Sequence, residues 1–253
     1  MRIGHLSDSH LRRSIPGTSE IAIRLCREAP RLLEAALAAL RAEGADIVVV
    51  TGDLLDLPGY QLDGDSSAEL RAAVREDYEL VRELLDASGL PYLVVPGNHD
   101  DAAIMGEVFA ERGQPGTGVL EFGGVRFAAF WDAADPATHE PLRVGAELDL
   151  FTELAADAAL QVHLQHYLLT EPPKLDWPYS YATRAELVGA LTASGALRLV
   201  LSGHYHPGRP LTREGGVFFS TDEALCEFPH RYRSYDIDLA AGTVAMTAHA
   251  LES

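Results

Sequence analysis

The sequence predicts an α/β protein with a mixed sheet and a second sheet, and three observations point that way. Short apolar runs alternate with helical stretches through the first half. The second half carries hairpin pairs beside single buried runs. Several apolar runs end abruptly in Asp, Asn or His, as strands do when their tips reach a binding site.

In chain order, "RIGHLSD" opens as a strand, and "APRLLEAALAALRAEG" spaces its apolar residues as a helix with a stop at Gly44. "ADIVVVTGD" is a continuous buried strand. "SAELRAAVREDYELVRELLDASG" is an amphipathic helix with Ser67 as N-cap and Gly89 at its end. "LPYLVVPGNHD" completes a β-α-β-α-β rhythm, which predicts parallel strands with helices packed on them. Further on, "GVLEFGGVRFAAFW" reads as two strands about a Gly-Gly turn and "GAELDLFTELAADA" as a helix. "LQVHLQHYLL" is a buried strand, "TRAELVGALTASG" a helix and "ALRLVLSGHYH" a strand. "PLTREGGVFFST" and "SYDIDLAAGTVAMTAHAL" read as hairpins. Without a repeat or a long linker, residues 1–253 are expected to form a single domain.

Composition narrows the function. The net charge of −18 disfavours duplex nucleic acid and anionic membranes, whose binding rests on basic patches. No run approaches the ~20 apolar residues of a membrane span. The opening "MRIGHLSDSH" has no secretory pattern, and Cys26 and Cys226 read as isolated buried residues, so a cytoplasmic location is expected.

Five apolar runs end in potential ligands: Asp8 and His10; Asp53 and Asp56; Asn98, His99 and Asp100; His166; and His204 and His206. Gly52, Gly97 and Gly203 are expected to let the chain turn sharply there. In "QVHLQH", His163 and His166 are three apart and face opposite sides of an extended chain. Only His166 sits at the tip, so His163 is expected in the core with a backbone partner, and His5 likewise in the core. His139, His230 and His249 lack a motif and are expected at the surface. Carboxylate, imidazole and amide oxygen together suit Mn, Fe, Zn, Ni or Co. Seven candidate ligands exceed one ion's need, so two ions sharing a carboxylate is the economical reading; such a pair clamps an in-line displacement at phosphorus.

The ordered series "DSH", "GDLLD", "GNHD", a later strand-end His and "GHYH", from Asp8 to His206, resembles the calcineurin-like metallophosphoesterase superfamily. The resemblance implies a four-layer αββα sandwich, two mixed β-sheets flanked by helices. It also implies two divalent or mixed-valence transition-metal ions. Asp8, His10 and His206 hold one, Asn98, His166 and His204 the other, and Asp53 bridges. His99 then meets the substrate, as general acid or by stabilising the phosphoryl group, and Asp56 orients it and raises its pKa. Asp100 is either a backbone cap or a contact behind the ligands. "GNHDD" is similar to class III cyclic nucleotide phosphodiesterases, although Ala102 stands where that subgroup commonly has Arg.

The expected activity is hydrolysis of a small phosphate ester, a phosphodiester such as a cyclic nucleotide. The alternatives are a phosphomonoesterase, a nucleotide-type pyrophosphatase and a non-catalytic scaffold. The loop at 57–68 is a solvated connection or overhangs the site. In 171–184, Trp177, Tyr179 and Tyr181 stack on a substrate or pack the rim, with Lys174 and Arg184 beside them.

Overall fold

A computed structural model of the chain describes residues 1–57, 62, 66–110, 116–171 and 177–251. The first sheet starts from β1 (Arg2–Leu6), β2 (Ile47–Thr51) and β3 (Tyr92–Val95), all parallel, with β3 at an edge. Helices α1 (Ala29–Ala42) and α2 (Ala68–Ser88) form the crossovers. The Ser67 hydroxyl accepts the Leu70 amide at 3.1 Å to start α2, and Gly89 ends it at φ 70°. A short helix α3 (Ala102–Ala110) follows β3; nothing in the apolar spacing after "GNHDD" predicted it.

The second sheet takes β4 (Gly118–Phe122), β5 (Val125–Ala129), β8 (Gln161–Leu164), β9 (Arg198–Ser202), β10 (Arg209–Glu214) and β11 (Val217–Thr221). A two-residue ladder, β6 (Ala133–Ala134) with β7 (Pro141–Leu142), stands apart from it. The order is β10-β11-β9-β8-β5-β4, with β11, β9, β8 and β5 parallel and a hairpin partner at each edge. Helices α4 (Gly145–Ala156) and α5 (Arg184–Ala193) cover its outer face. The chain then returns to the first sheet, where β12 (Arg231–Asp238) pairs antiparallel with β1 and β13 (Thr243–Ala250) with β12.

Strand alternation builds the layers. Ile47 and Val49 of β2 point between the sheets, against a core that includes Phe127, Leu164 and Leu201. Val48 and Val50 point the other way, into the α1–α2 layer with Leu33, Leu37 and Tyr78. Ala128 and Val200 carry the second sheet's outer face onto Phe151 and Leu191. The result is the expected αββα sandwich, with both sheets mixed.

Candidate metal centre

Both sheets bring the carboxyl ends of their parallel strands to one edge. The Asp8 amide donates to Gly52 O at 3.0 Å, the His10 amide to Asp53 O at 2.9 Å, and the Gly203 amide to His166 O at 3.0 Å. Gly97 and Gly203 are needed there for close approach rather than for the sharp turn expected from the sequence. A Cβ at Gly203 would overlap Ser7 Oγ and Asp8 Oδ2, and one at Gly97 would overlap Asp53. Asp8, His10, Asp53 and His204 have φ of 53°, 44°, 49° and 68°, the left-handed region that side-chain-bearing residues avoid. Each such position costs about 1–3 kcal/mol and persists only where its surroundings impose it. Four of the seven expected ligands share this conformation.

The side chains converge in two overlapping groups. The nearest ligating atoms of Asp8, His10, Asp53 and His206 all lie within 4.8 Å of one another, as do those of Asp53, His166 and His204. Asp53 belongs to both: its Oδ2 stands 3.4 Å from His10 Nε2 and 3.5 Å from His166 Nε2. Asn98 Oδ1 lies 3.1 Å from His166 Nε2. All seven expected ligands thus come together.

The tautomers test whether this set suits metal ions. His166 Nδ1 donates to Thr51 O at 2.7 Å, and His206 Nδ1 to Glu227 Oε1 at 2.5 Å. His10 Nδ1 faces Asp56 Oδ1 at 3.3 Å. With Nδ1 carrying the proton, each Nε2 offers a lone pair toward the centre. Yet His10 Nε2 and His206 Nε2 face each other at 3.2 Å, and His166 Nε2 faces two oxygens. Lone pair meets lone pair, which only protons or metal cations can reconcile. His204 adds an imidazole nitrogen, Nε2, that is buried with no hydrogen-bond partner among the described residues. The donor set fits transition-metal ions.

The electrostatics agree. Burial would raise Asp53, but His166, His99 and His10 outweigh it and hold the carboxyl well below the ordinary carboxylate range. Burial likewise opposes Asp8, and the His206 contact brings it down. Burial lowers His166 and His206, yet the carboxylates Asp53 and Asp8 lift them to about 9, so a strong negative field fills the centre. His204 falls to about 3 through burial and the neighbouring His166. That keeps it a neutral imidazole, the form that binds metal.

The family follows from most of the chain. The model of the calcineurin-like phosphoesterases matches residues 1–208. The chain belongs to the calcineurin-like phosphoesterase family. It is therefore a metal-dependent phosphoester hydrolase of a dimetal family. A probable cyclic nucleotide phosphodiesterase from Synechococcus is 26% identical over 84% of this chain and 77% of its own length. A dimetal phosphatase from Danio rerio shares the fold at a TM-score of 0.72 and 16% identity, covering 98% of this chain and 96% of its own. A purple acid phosphatase from yellow lupin (Lupinus luteus) shares it at 0.56 and 11% identity, over 98% of this chain and 53% of its own.

His99 and Asp56 sit beside this centre, but their relation differs from the expectation. Asp56 Oδ1 is 3.4 Å from His99 Nδ1, while Arg12 Nη2 lies 2.8 Å from Asp56 Oδ2 and His10 Nδ1 is also nearer than His99. Burial, with His10 and Arg24 adding to it, lowers His99 to about 3 and overrides the Asp53 and Asp56 carboxylates. Asp56 does act to raise the imidazole, in the expected direction, but burial outweighs it and the net shift is downward. Asp100 is the backbone cap: its oxygens accept the Leu54, Leu55 and Gly97 amides and the Tyr78 hydroxyl. It ties the β2 tip to the β3 tip.

Other expectations divide. His163 is in the core, but its partner is Gln161 Oε1 at 2.8 Å, not backbone. His5 is buried against Thr51. His230 is buried and bonded to Leu225 O, contrary to the surface expectation, because the loop after β11 packs against the β1 tip through the Leu225 and Cys226 amides. Both cysteines are buried and free. A groove of about 480 Å³ lies over the centre, with Trp177, Tyr179, Tyr205, Ile21 and Ile23 among its walls. Tyr181 is core instead, donating to Asp132 at 2.7 Å. Residues 58–61, 63–65 and 172–176, Lys174 among them, lie outside the described residues. Sequence reasoning missed Glu227, Arg12 and Arg24, which arrive from irregular segments without periodic spacing.

Proposed function

We propose that the chain hydrolyses a small phosphodiester, of the cyclic nucleotide type, at a two-metal centre built from these strand tips. Asp8, His10 and His206 would hold one ion, Asn98, His166 and His204 the other, with Asp53 shared. The observation that carries this is the Asp53 carboxylate, whose one oxygen lies almost equidistant from His10 and His166. Bound metal supplies Lewis acidity toward the phosphoryl group and the attacking water. The same reading takes residues 1–253 as one domain, since β12 and β13 complete the sheet that β1 opens.

The chain's own residues do the rest. Thr51 O, Glu227 and Asp56 orient the imidazoles. The His99 amide donates to Asp53 Oδ1 at 2.8 Å, which fixes the imidazole beside the shared carboxylate. His99 lines the groove and is the group proposed to protonate the leaving oxygen. It is neutral in the free protein, and an anionic substrate against it raises its proton affinity. Trp177, Tyr179 and Tyr205 offer faces to a planar base. The diester reading is supported by the Synechococcus relative and by charge, since a diester carries less negative charge toward this acidic protein.

The Mn-loaded protein is assayed with bis(p-nitrophenyl) phosphate, p-nitrophenyl phosphate and cyclic nucleotides. Faster cleavage of the diesters is expected, and a clear preference for p-nitrophenyl phosphate overturns the substrate reading. His99→Ala should keep its metal content and lose ~10²–10⁴-fold in kcat. The loss should be largest for poor leaving groups. Loss of a metal with His99→Ala, or a uniform rate loss across leaving groups, removes the general-acid role.

A further inference from the structure

We infer that Arg24 is a substrate-binding residue of this site, a guanidinium placed to grip the non-bridging oxygens of the phosphoryl group beside His99. The inference rests on the phosphoesterase reading above and adds a contact that the metal-ligand pattern does not contain.

Arg24 lines the groove with Asp53, Asn98 and His99, and its side chain is only 11% exposed. It is the one guanidinium or ammonium among the described residues lining that groove, where Asp53 and Glu227 are the carboxylates. Among the described residues, an anionic phosphoester entering here meets no other fixed cation of that kind. Nη1 lies 3.2 Å from His99 Nε2, so the guanidinium sits where a group bound by His99 would also be in reach.

A purely structural role as counter-ion to Asp56 explains the residue less well. Asp56 already has Arg12 at 2.8 Å and His10 at 3.3 Å, whereas Arg24 stands off at 3.4 Å. The Arg24 fork is also underused. Its Nη1 contacts His99 and Asp56, while Nε is buried with no hydrogen-bond partner among the described residues. A buried donor left unmatched is costly, and a guanidinium edge matches two phosphoryl oxygens.

The backbone holds this arginine in place. The Arg24 amide donates to Ile21 O at 3.0 Å, and the Leu25 amide to Cys226 O at 2.9 Å. The Cys226 amide in turn donates to Asp8 O, which links the Arg24 turn to a proposed ligand. Further back, Asp77 on α2 accepts the Arg13, Ser14 and Ile15 amides and fastens the start of the same segment. A held cation needs little ordering when substrate arrives.

The test compares wild type, Arg24→Ala and Arg24→Lys, each Mn-loaded. Affinity for inorganic phosphate is measured by calorimetry, metal content on the same samples, and kcat and KM with bis(p-nitrophenyl) phosphate. We expect Arg24→Ala to keep both metals, to bind phosphate at least ~10-fold more weakly, and to lose ~10²–10³-fold in kcat/KM. Arg24→Lys should fall between, because an ammonium keeps the charge and loses the fork. Unchanged phosphate affinity in either variant overturns the inference, as does metal loss in both, which would mark a structural role through Asp56. If Arg24→Ala does not fold, Arg24→Lys decides by the same phosphate measurement. An inactive wild type that still binds phosphate through Arg24 would count against the phosphoesterase reading alone. An active wild type with an indifferent Arg24 would count against this inference alone.

Discussion

Two buried polar clusters lie close together in this molecule and are built on opposite principles. In one, Arg143 donates to both oxygens of Asp132 at 2.8 and 2.6 Å and to Gln165 and Tyr181, while its plane lies 4.1 Å over the Phe130 ring. Cation, anion, donors and acceptors are supplied by the chain itself. In the other, around Asp53, the chain supplies two carboxylates, an amide oxygen and imidazoles whose lone pairs meet. The first cluster pairs its charges within the chain, with Nη1 the one nitrogen of the Arg143 guanidinium left unmatched among the described residues, and serves the fold. The second is complete only when protons or metal cations are added. Burial and polarity alone do not separate a site from a structural network; the balance of donors and acceptors does.

That contrast can be broken most sharply at Asp53. Asp53→Asn should weaken both ions at once and lower Mn-dependent diester hydrolysis by ~10³-fold or more, given the several kcal/mol that metal activation contributes. Normal rate and metal content in that variant would dismiss the shared-carboxylate assignment. Asp132→Asn should instead cost ~3–5 kcal/mol of stability by leaving the Arg143 charge buried and unpaired. Denaturant unfolding with Mn and with EDTA should give the same loss. A loss that vanishes with EDTA would mean the two clusters are one.

Glu227→Gln sharpens the comparison from the metal side. It removes the charge on His206 Nδ1, so Mn affinity should fall ~10–100-fold, the usual cost of losing a group behind a ligand. Metal titration followed by activity measures it, and an unchanged midpoint would detach Glu227 from the centre.

The smallest effect concerns acid. Burial first, then Arg143 and Arg198, lowers His163 from its ordinary value to about 3. Between about pH 6.5 and 3 the unfolded chain therefore binds a proton that the folded one refuses, and stability falls as pH drops. From pH 6.5 to 5 this histidine accounts for about 2 kcal/mol of that fall. His163→Gln should show a correspondingly shallower loss in EDTA-treated protein; an identical slope would refute the neutral buried state.

What the sequence disclosed follows the same division. The strand tips were legible because an apolar run that stops at Asp53, Asn98 or His204 breaks a strong pattern. The helix at 102–110 was not, since "AAIMGEVFA" is short and almost wholly apolar, which leaves Ile104, Met105, Val108 and Phe109 little polar contrast to mark their face. Arg24 and Glu227 were invisible for another reason. Their place in the site depends on where irregular chain crosses the strand tips, through contacts such as Leu25 with Cys226, and no periodicity encodes that. The Asp56–His99 relation was half legible: the pair is adjacent, but the burial that lowers His99, and the Arg12 and His10 contacts of Asp56, are seen only in three dimensions.

The central claim is that these strand tips hold two ions through a common carboxylate. Its most direct test is elemental analysis of wild type and Asp53→Asn after Mn loading and dialysis. The account predicts two ions per chain in the wild type and a fall at both positions, toward none, in Asp53→Asn. Trace metal in the wild type, or two ions retained by Asp53→Asn, would contradict it.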